Sequence, residues 1–110
     1  MSENLSGILN VYKPQGLTSH AVVSRVRKFY GVKRVGHAGT LDPMACGVLP
    51  VLVGSAASVQ ELVMEHDKTY KAGVLFGVTT DTGDVTGSVL DAKTPSFDDA
   101  ALKETLARFT

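Results

Sequence analysis

The stretch Gly36-His-Ala-Gly-Thr-Leu-Asp-Pro43 places two glycines and a proline within eight residues. Glycine opens turns, and proline lacks the N–H that a helix or a ladder needs, so irregular backbone is expected here, a loop rather than a strand or a helix. The stretch is long for mere connection. Within it, Pro43 fixes its own φ and restricts the residue before it, so Asp42 is held extended, with His37 five residues upstream. A positioned carboxylate can serve as a covalent nucleophile or a general base. It can equally cap a turn, and the spacing alone leaves both open.

The segments around this loop are short. Residues 8–12 read as a strand that Pro14 and Gly16 terminate. Thr18 or Ser19 can cap a helix in which Val22, Val23, Val26 and Phe29 recur at helical spacing until Gly31 ends it, leaving Arg25 and Lys28 on other faces. Gly47 to Val53 is a continuous apolar run of strand length in which Pro50 must sit at an edge or a bulge. Ser55 to Glu65 fits a short helix. Residues 69–78 alternate Tyr70, Ala72, Val74, Phe76 and Val78 against Lys71, Gly73, Leu75 and Gly77, the clearest strand pattern in the chain. A turn-rich link from Asp81 to Gly87 leads to a second strand near Ser88 to Leu90, which predicts a hairpin. Pro95, Ser96 and Asp99 open a last helix with a capping-box pattern. Its apolar residues Leu102, Leu106 and Phe109 are still in phase at the final residue, which reads as an element cut short and predicts a fragment.

At 110 residues with 44% hydrophobic residues, the chain suits one small domain with a real core. The single cysteine, Cys46, has no partner for an intramolecular disulfide or a thiolate metal cage. With no signal-like opening and no apolar run of membrane-spanning length, a soluble cytoplasmic protein is expected. The net charge is zero, yet its distribution is uneven. Residues 1–34 hold Lys13, Arg25, Arg27, Lys28, Lys33 and Arg34 against Glu3 alone, while residues 81–104 hold six acids against two lysines. Such a basic half can be a solvated face or can touch phosphates.

The full string Gly36-His-Ala-Gly-Thr-Leu-Asp42-Pro-Met-Ala-Cys-Gly-Val-Leu-Pro50 closely resembles the active-site motif of TruB-type pseudouridine synthases. Asn10-Val-Tyr-Lys-Pro-Gln-Gly-Leu-Thr-Ser19 resembles that family's N-terminal Lys-Pro motif, and Asp67-Lys-Thr-Tyr-Lys-Ala72 its Lys-x-Tyr motif; Thr80 to Gly87 matches as well. The resemblance runs from about Gly7 to Phe109. It implies an α+β pseudouridine synthase fold: a mixed, largely antiparallel sheet with helices on one side, the Asp42 loop in a central cleft, and the C-terminal part missing. Residues 1–110 would be the N-terminal part of the catalytic domain.

The implied reaction converts uridine to pseudouridine at position 55 in the T-loop of tRNA. Asp42 would be the nucleophile that breaks the N-glycosidic bond. Tyr70 would stack on the base and transfer a proton, and His37, Gly39, Thr40, Leu41 and Lys71 would contact the substrate. Lys13, Pro14 and Asp84 would have structural duty. The resemblance implies no cofactor or metal, a tRNA T-arm as partner, no membrane, and a monomer. It also implies that the arginine pairing with the aspartate, and an RNA-binding domain, lie beyond Thr110, so that the fragment alone is inactive. After Gly54 the family commonly has a threonine and a basic residue, where this chain reads Ser55-Ala-Ala-Ser58. The alternative is a non-catalytic module that binds tRNA and helps it fold, a role that does not need Asp42. A phosphate-loop interaction domain fits poorly, because Gly36 to Asp42 lacks the Gly-Lys-Ser/Thr ending.

Overall fold

The computed structural model describes residues 4–110, which form two compact units divided between Thr69 and Tyr70. In the first unit, β1 (Gly7–Lys13), β2 (Val35–His37) and β3 (Gly47–Val53) make a three-stranded antiparallel sheet in the order β1-β3-β2. Helix α1 (Ser19–Tyr30) lies against it. The helix begins where the Thr18 side chain accepts a hydrogen bond from the Ala21 amide at 2.9 Å. It ends at Gly31, whose left-handed φ of 66° is one that a residue with a Cβ adopts at a cost. Arg27 then donates through Nε to the Lys33 carbonyl at 2.9 Å and through its terminal nitrogen to that of Val35 at 3.3 Å, folding the link from α1 back into β2.

The core joins Val22 and Val23 of α1 to Val35, Leu49, Val51 and Val53 of the sheet. Leu52 points to the other face and is also fully buried. From Val51 to Val53 the strand is buried on both faces and needs no polar alternation, whereas Val48 is 64% exposed. Phe29, expected on the apolar face of the helix, is instead 78% exposed and stands edge-on to Tyr30, outside the core that Val22 and Val23 enter.

Two expectations fail around Pro50. It occupies the central strand rather than an edge or a bulge, opposite Asn10. Its carbonyl accepts from the Ala38 amide at 2.9 Å, so the missing N–H also faces β2 rather than β1. The β2 ladder stops there, its last paired residue being His37 opposite Val51. Gly36 and His37 therefore belong to a short strand, and the irregular loop begins only at Ala38. Beyond β3 the chain forms a 3₁₀ turn, Gly54–Val59, and then α2, Gln60–Met64, in place of one short helix.

In the second unit, β4 (Val78–Thr80) and β5 (Val89–Ala92) form an antiparallel hairpin with an irregularity between Thr79 and Thr80. Residues 69–77, the clearest strand by pattern, join no ladder. Alternation marks a face that could be buried, whereas a strand also needs a neighbour to take its N–H and C=O groups. Phe76 packs edge-on to Phe97 at 4.6 Å. Helix α3 (Asp99–Ala107) is capped by Asp98, whose carboxylate accepts from the Ala101 amide at 2.8 Å, in place of the expected Ser96. The architecture is α+β with antiparallel pairing throughout the described residues, in two sheets rather than one. Among those residues no helix is long and apolar enough to cross a membrane.

Leu49→Ala, at a site 1% exposed, is expected to lower stability by about 2–5 kcal/mol in urea unfolding, while Phe29→Ala costs less than about 0.5 kcal/mol. Equal effects would contradict this division between core and surface.

Candidate active-site loop

The loop from Ala38 to Cys46 leaves the sheet at the end where β1 finishes and β3 starts. Its first bend uses Gly39 at φ 105°, a backbone region that side chains rarely enter. The His37 ring stays with this bend: Nδ1 lies 3.0 Å from the Gly39 carbonyl. A carbonyl can only accept, so Nδ1 carries the proton in this contact, and among the described residues no hydrogen bond engages Nε2. Asp42 then opens a turn closed by the Ala45 amide donating to the Asp42 carbonyl at 2.9 Å, with Pro43 as its second residue.

Both neighbours of Asp42 are tied down. On one side, the Ser19 hydroxyl accepts from the Leu41 amide at 2.9 Å and lies 3.1 Å from the Leu41 carbonyl, to which it can donate. On the other side, the Pro43 carbonyl accepts from the Gly16 amide at 2.7 Å and from the Lys13 ammonium at 3.4 Å. Lys13 is completely buried, and its remaining bonds go to the carbonyls of Pro14 at 2.9 Å and Leu17 at 2.7 Å. A lysine can be buried only if its ammonium is satisfied, and here backbone oxygens from two segments do so. The Leu41 side chain anchors the loop further by packing against the core.

Asp42 itself is exposed rather than enclosed within this unit, and among the described residues no hydrogen bond or ion pair engages its carboxylate. Thr40 is likewise exposed, while His37, Gly39 and Leu41 are half-buried. The first unit thus brings together Lys13, Pro14, His37, Gly39, Thr40, Leu41 and Asp42. Tyr70, Lys71 and Asp84 belong to the second unit; Tyr70 is 67% exposed and Lys71 is exposed. Ser19 is the site residue that sequence reading missed. It reads as one of two interchangeable caps, and only the closed fold shows that Thr18 caps the helix while Ser19 holds the loop.

Two other groups have shifted titrations. At the far end of the loop, a hydrogen bond with Cys46, and then that group's negative charge, raise the Tyr12 phenol above its ordinary 10.0. Asp84 lies in the β4–β5 turn and accepts from the Thr86 hydroxyl and amide and the Thr82 hydroxyl. These bonds, those from Thr86 foremost, hold its carboxyl below its ordinary 3.8. Ser55, in place of the expected threonine, shares a hydrogen bond with Ser6 at 2.7 Å. Arg25, Lys28, Lys33 and Arg34 are exposed. Among the described residues no group of three or more His, Cys, Asp or Glu is placed to hold a metal ion.

The family model described as TruB family pseudouridylate synthase, N-terminal domain, matches residues 27–110. The tRNA pseudouridine synthase B of Caldanaerobacter subterraneus subsp. tengcongensis is 49% identical over 107 residues, covering 96% of this chain and 38% of that protein. That of Syntrophotalea carbinolica is 49% identical over 96 residues, covering 87% and 31%, and that of Staphylococcus saprophyticus 50% over 98 residues, covering 89% and 32%. The chain therefore spans about a third of the length of these curated relatives. A solved structure of an H/ACA RNP bound to a substrate RNA containing 2'-deoxyuridine is 45% identical, covering 51% of this chain and 18% of that one, with a TM-score of 0.49.

Lys13→Met strands the Leu17 and Pro14 carbonyls, while that of Pro43 keeps its bond from Gly16; urea unfolding is expected to show a loss of about 2–3 kcal/mol, and an unchanged midpoint would contradict this. For Asp84, the depressed folded value means that its contribution to stability is present above the ordinary carboxylate value and is lost as pH falls through the folded one. Carbon-13 titration of its carboxyl should give a midpoint below 3.8 that rises in Thr86→Val; a wild-type midpoint at or above 3.8 would contradict the assignment.

Proposed function

Because the chain belongs to the TruB family of pseudouridylate synthases, we propose that it supplies the nucleophile-bearing part of an enzyme that isomerises uridine to pseudouridine in tRNA, at position 55 of the T-loop. The observation that carries this reading is Asp42 itself: fixed in the backbone on both sides, with a carboxylate that no hydrogen bond or ion pair among the described residues engages. A carboxylate that served only to cap the turn would be bonded to a nearby amide, as Asp84 and Asp98 are. The relatives' printed name, tRNA pseudouridine synthase B, supports tRNA as the substrate.

In the proposed reaction, the N1–C1' bond of the target uridine breaks with Asp42 acting at the sugar, and the released uracil turns and reattaches through C5. The proton on C5 is then lost while N1 gains one, so the product is an isomer and needs no oxidant or cofactor. Preorganisation is the contribution of this unit, since a side chain already oriented spares the cost of ordering it at the reacting centre. Tyr70 is assigned the base-stacking and proton-transfer role on the strength of the resemblance, and its exposed ring and hydroxyl suit both. His37, whose Nε2 has no hydrogen-bond partner among the described residues, is assigned to help draw the uridine out of its stack, a step that costs a few kcal/mol. Gly39, Thr40, Leu41 and Lys71 complete the proposed substrate contacts, and the exposed basic residues of α1 and its following turn suit phosphates. The proposed enzyme acts as a monomer in the cytoplasm.

The test is pseudouridine formation in a T-arm RNA by the complete gene product carrying this sequence. Asp42→Asn is expected to lower the rate by at least roughly a thousandfold. Tyr70→Phe, which keeps the ring and removes the hydroxyl, should lower it by about a hundredfold. Full turnover in the asparagine variant would reject the role given to Asp42, and retention of a tRNA-folding effect alone would favour the helper module.

A further inference from the structure

We infer that Ser19 is a positioning residue for the Asp42 nucleophile, acting through the Leu41 peptide; this rests on the reading of Asp42 above. The sequence offers two adjacent hydroxyls at the start of α1, and the structure gives them different work. Thr18 caps the helix, its Oγ1 accepting from the Ala21 amide at 2.9 Å, and it is exposed. Ser19 is 3% exposed and adds nothing to the cap. Its hydroxyl takes both polar groups of one loop residue, accepting from the Leu41 N–H at 2.9 Å and lying 3.1 Å from the Leu41 carbonyl to which it donates.

Leu41 immediately precedes the nucleophile, so this contact sets where the Asp42 Cα enters the turn. The opposite side of Asp42 is fixed independently through the Pro43 carbonyl, bonded by Gly16 and Lys13. Among the described residues Ser19 is the side chain that hydrogen-bonds the backbone of Leu41, the residue directly before Asp42, while His37 bonds the loop further back, at the Gly39 carbonyl. Without it, the Pro43 side of the loop keeps its anchor and the Leu41 side chain keeps its packing against the core, while the peptide leading into Asp42 loses its hydrogen bonds. Displacement of a reacting group by about 1 Å can cost roughly a hundredfold in rate.

The experiment compares Ser19→Ala, Thr18→Ala and Asp42→Asn in the complete gene product acting on a T-arm RNA hairpin, with kcat, KM and Tm measured for each. Ser19→Ala is expected to lower kcat by about tenfold to a hundredfold with KM within about twofold of wild type. Thr18→Ala should lower Tm and leave kcat within about twofold, since a lost cap costs stability rather than alignment. Ser19→Thr, which restores the hydroxyl, should recover most of kcat. If Ser19→Ala does not fold, Ser19→Cys replaces it, keeping the volume and weakening both hydrogen bonds. An Asp42→Asn variant without activity beside a Ser19→Ala variant that matches wild type, or that matches Thr18→Ala at equal loss of Tm, would overturn the inference alone. Failure of both the alanine and cysteine variants to fold would also overturn it, assigning Ser19 to the fold. An active Asp42→Asn variant, or a wild type that forms no pseudouridine, would instead bring down the reading on which it rests.

Discussion

The hydrogen bonds that join the β1–α1 connection to the backbone on either side of Asp42 are what the rest of the first unit depends on. Gly16 and Lys13 hold the Pro43 carbonyl, and Ser19 holds both polar groups of Leu41. The loop between Ala38 and Cys46 has no ladder of its own and would otherwise be free to move, as loops without backbone pairing are. Here it is stitched to a segment that is itself fixed by strand pairing at Lys13 and by helix capping at Thr18. The unit places rigid groups around an exposed carboxylate and leaves the carboxylate unspent.

Several features of the sheet serve this end. Pro50 cannot donate to β2, so the pairing of β2 stops at His37 and the chain is released into the loop at Ala38. Gly39 takes the positive φ that the bend after His37 requires. The alternating burial of Leu49, Val51 and Val53 keeps β3 fixed against α1, so that Ser19 at the helix start and Gly47 at the strand start remain at the same end of the unit.

Much of the fold was legible. The helix from Ser19 to Tyr30 announces itself through its cap, its valine spacing and Gly31, because all three signals are local and agree. The hairpin was legible in part: its turn and its second strand fall where expected, whereas its first strand is Val78–Thr80 rather than residues 69–78. Failures arose where a local pattern depends on a distant partner. Residues 69–77 have the right alternation and no neighbour to pair with among the described residues, and Pro50 was assigned to an edge or a bulge because the sequence does not show that β2 ends beside it. Ser96 and Asp98 are both competent caps, and the choice between them rests on where the first turn closes. At the candidate site, the motif around Asp42 and the Lys-Pro pair could be read directly. The burial of Lys13 among three carbonyls, and the division of labour between Thr18 and Ser19, exist only once residues some twenty to thirty positions apart have met.

The measurement that tests this account most directly is backbone amide hydrogen exchange of the wild-type protein, read residue by residue. If the loop is held through its flanks, the Leu41 and Gly16 amides exchange as slowly as those of β3, while Thr40 and Met44, whose amides have no hydrogen-bond partner among the described residues, exchange freely. If Leu41 and Gly16 exchange as fast as Thr40, the stitches do not hold, and Asp42 is a carboxylate on a mobile loop.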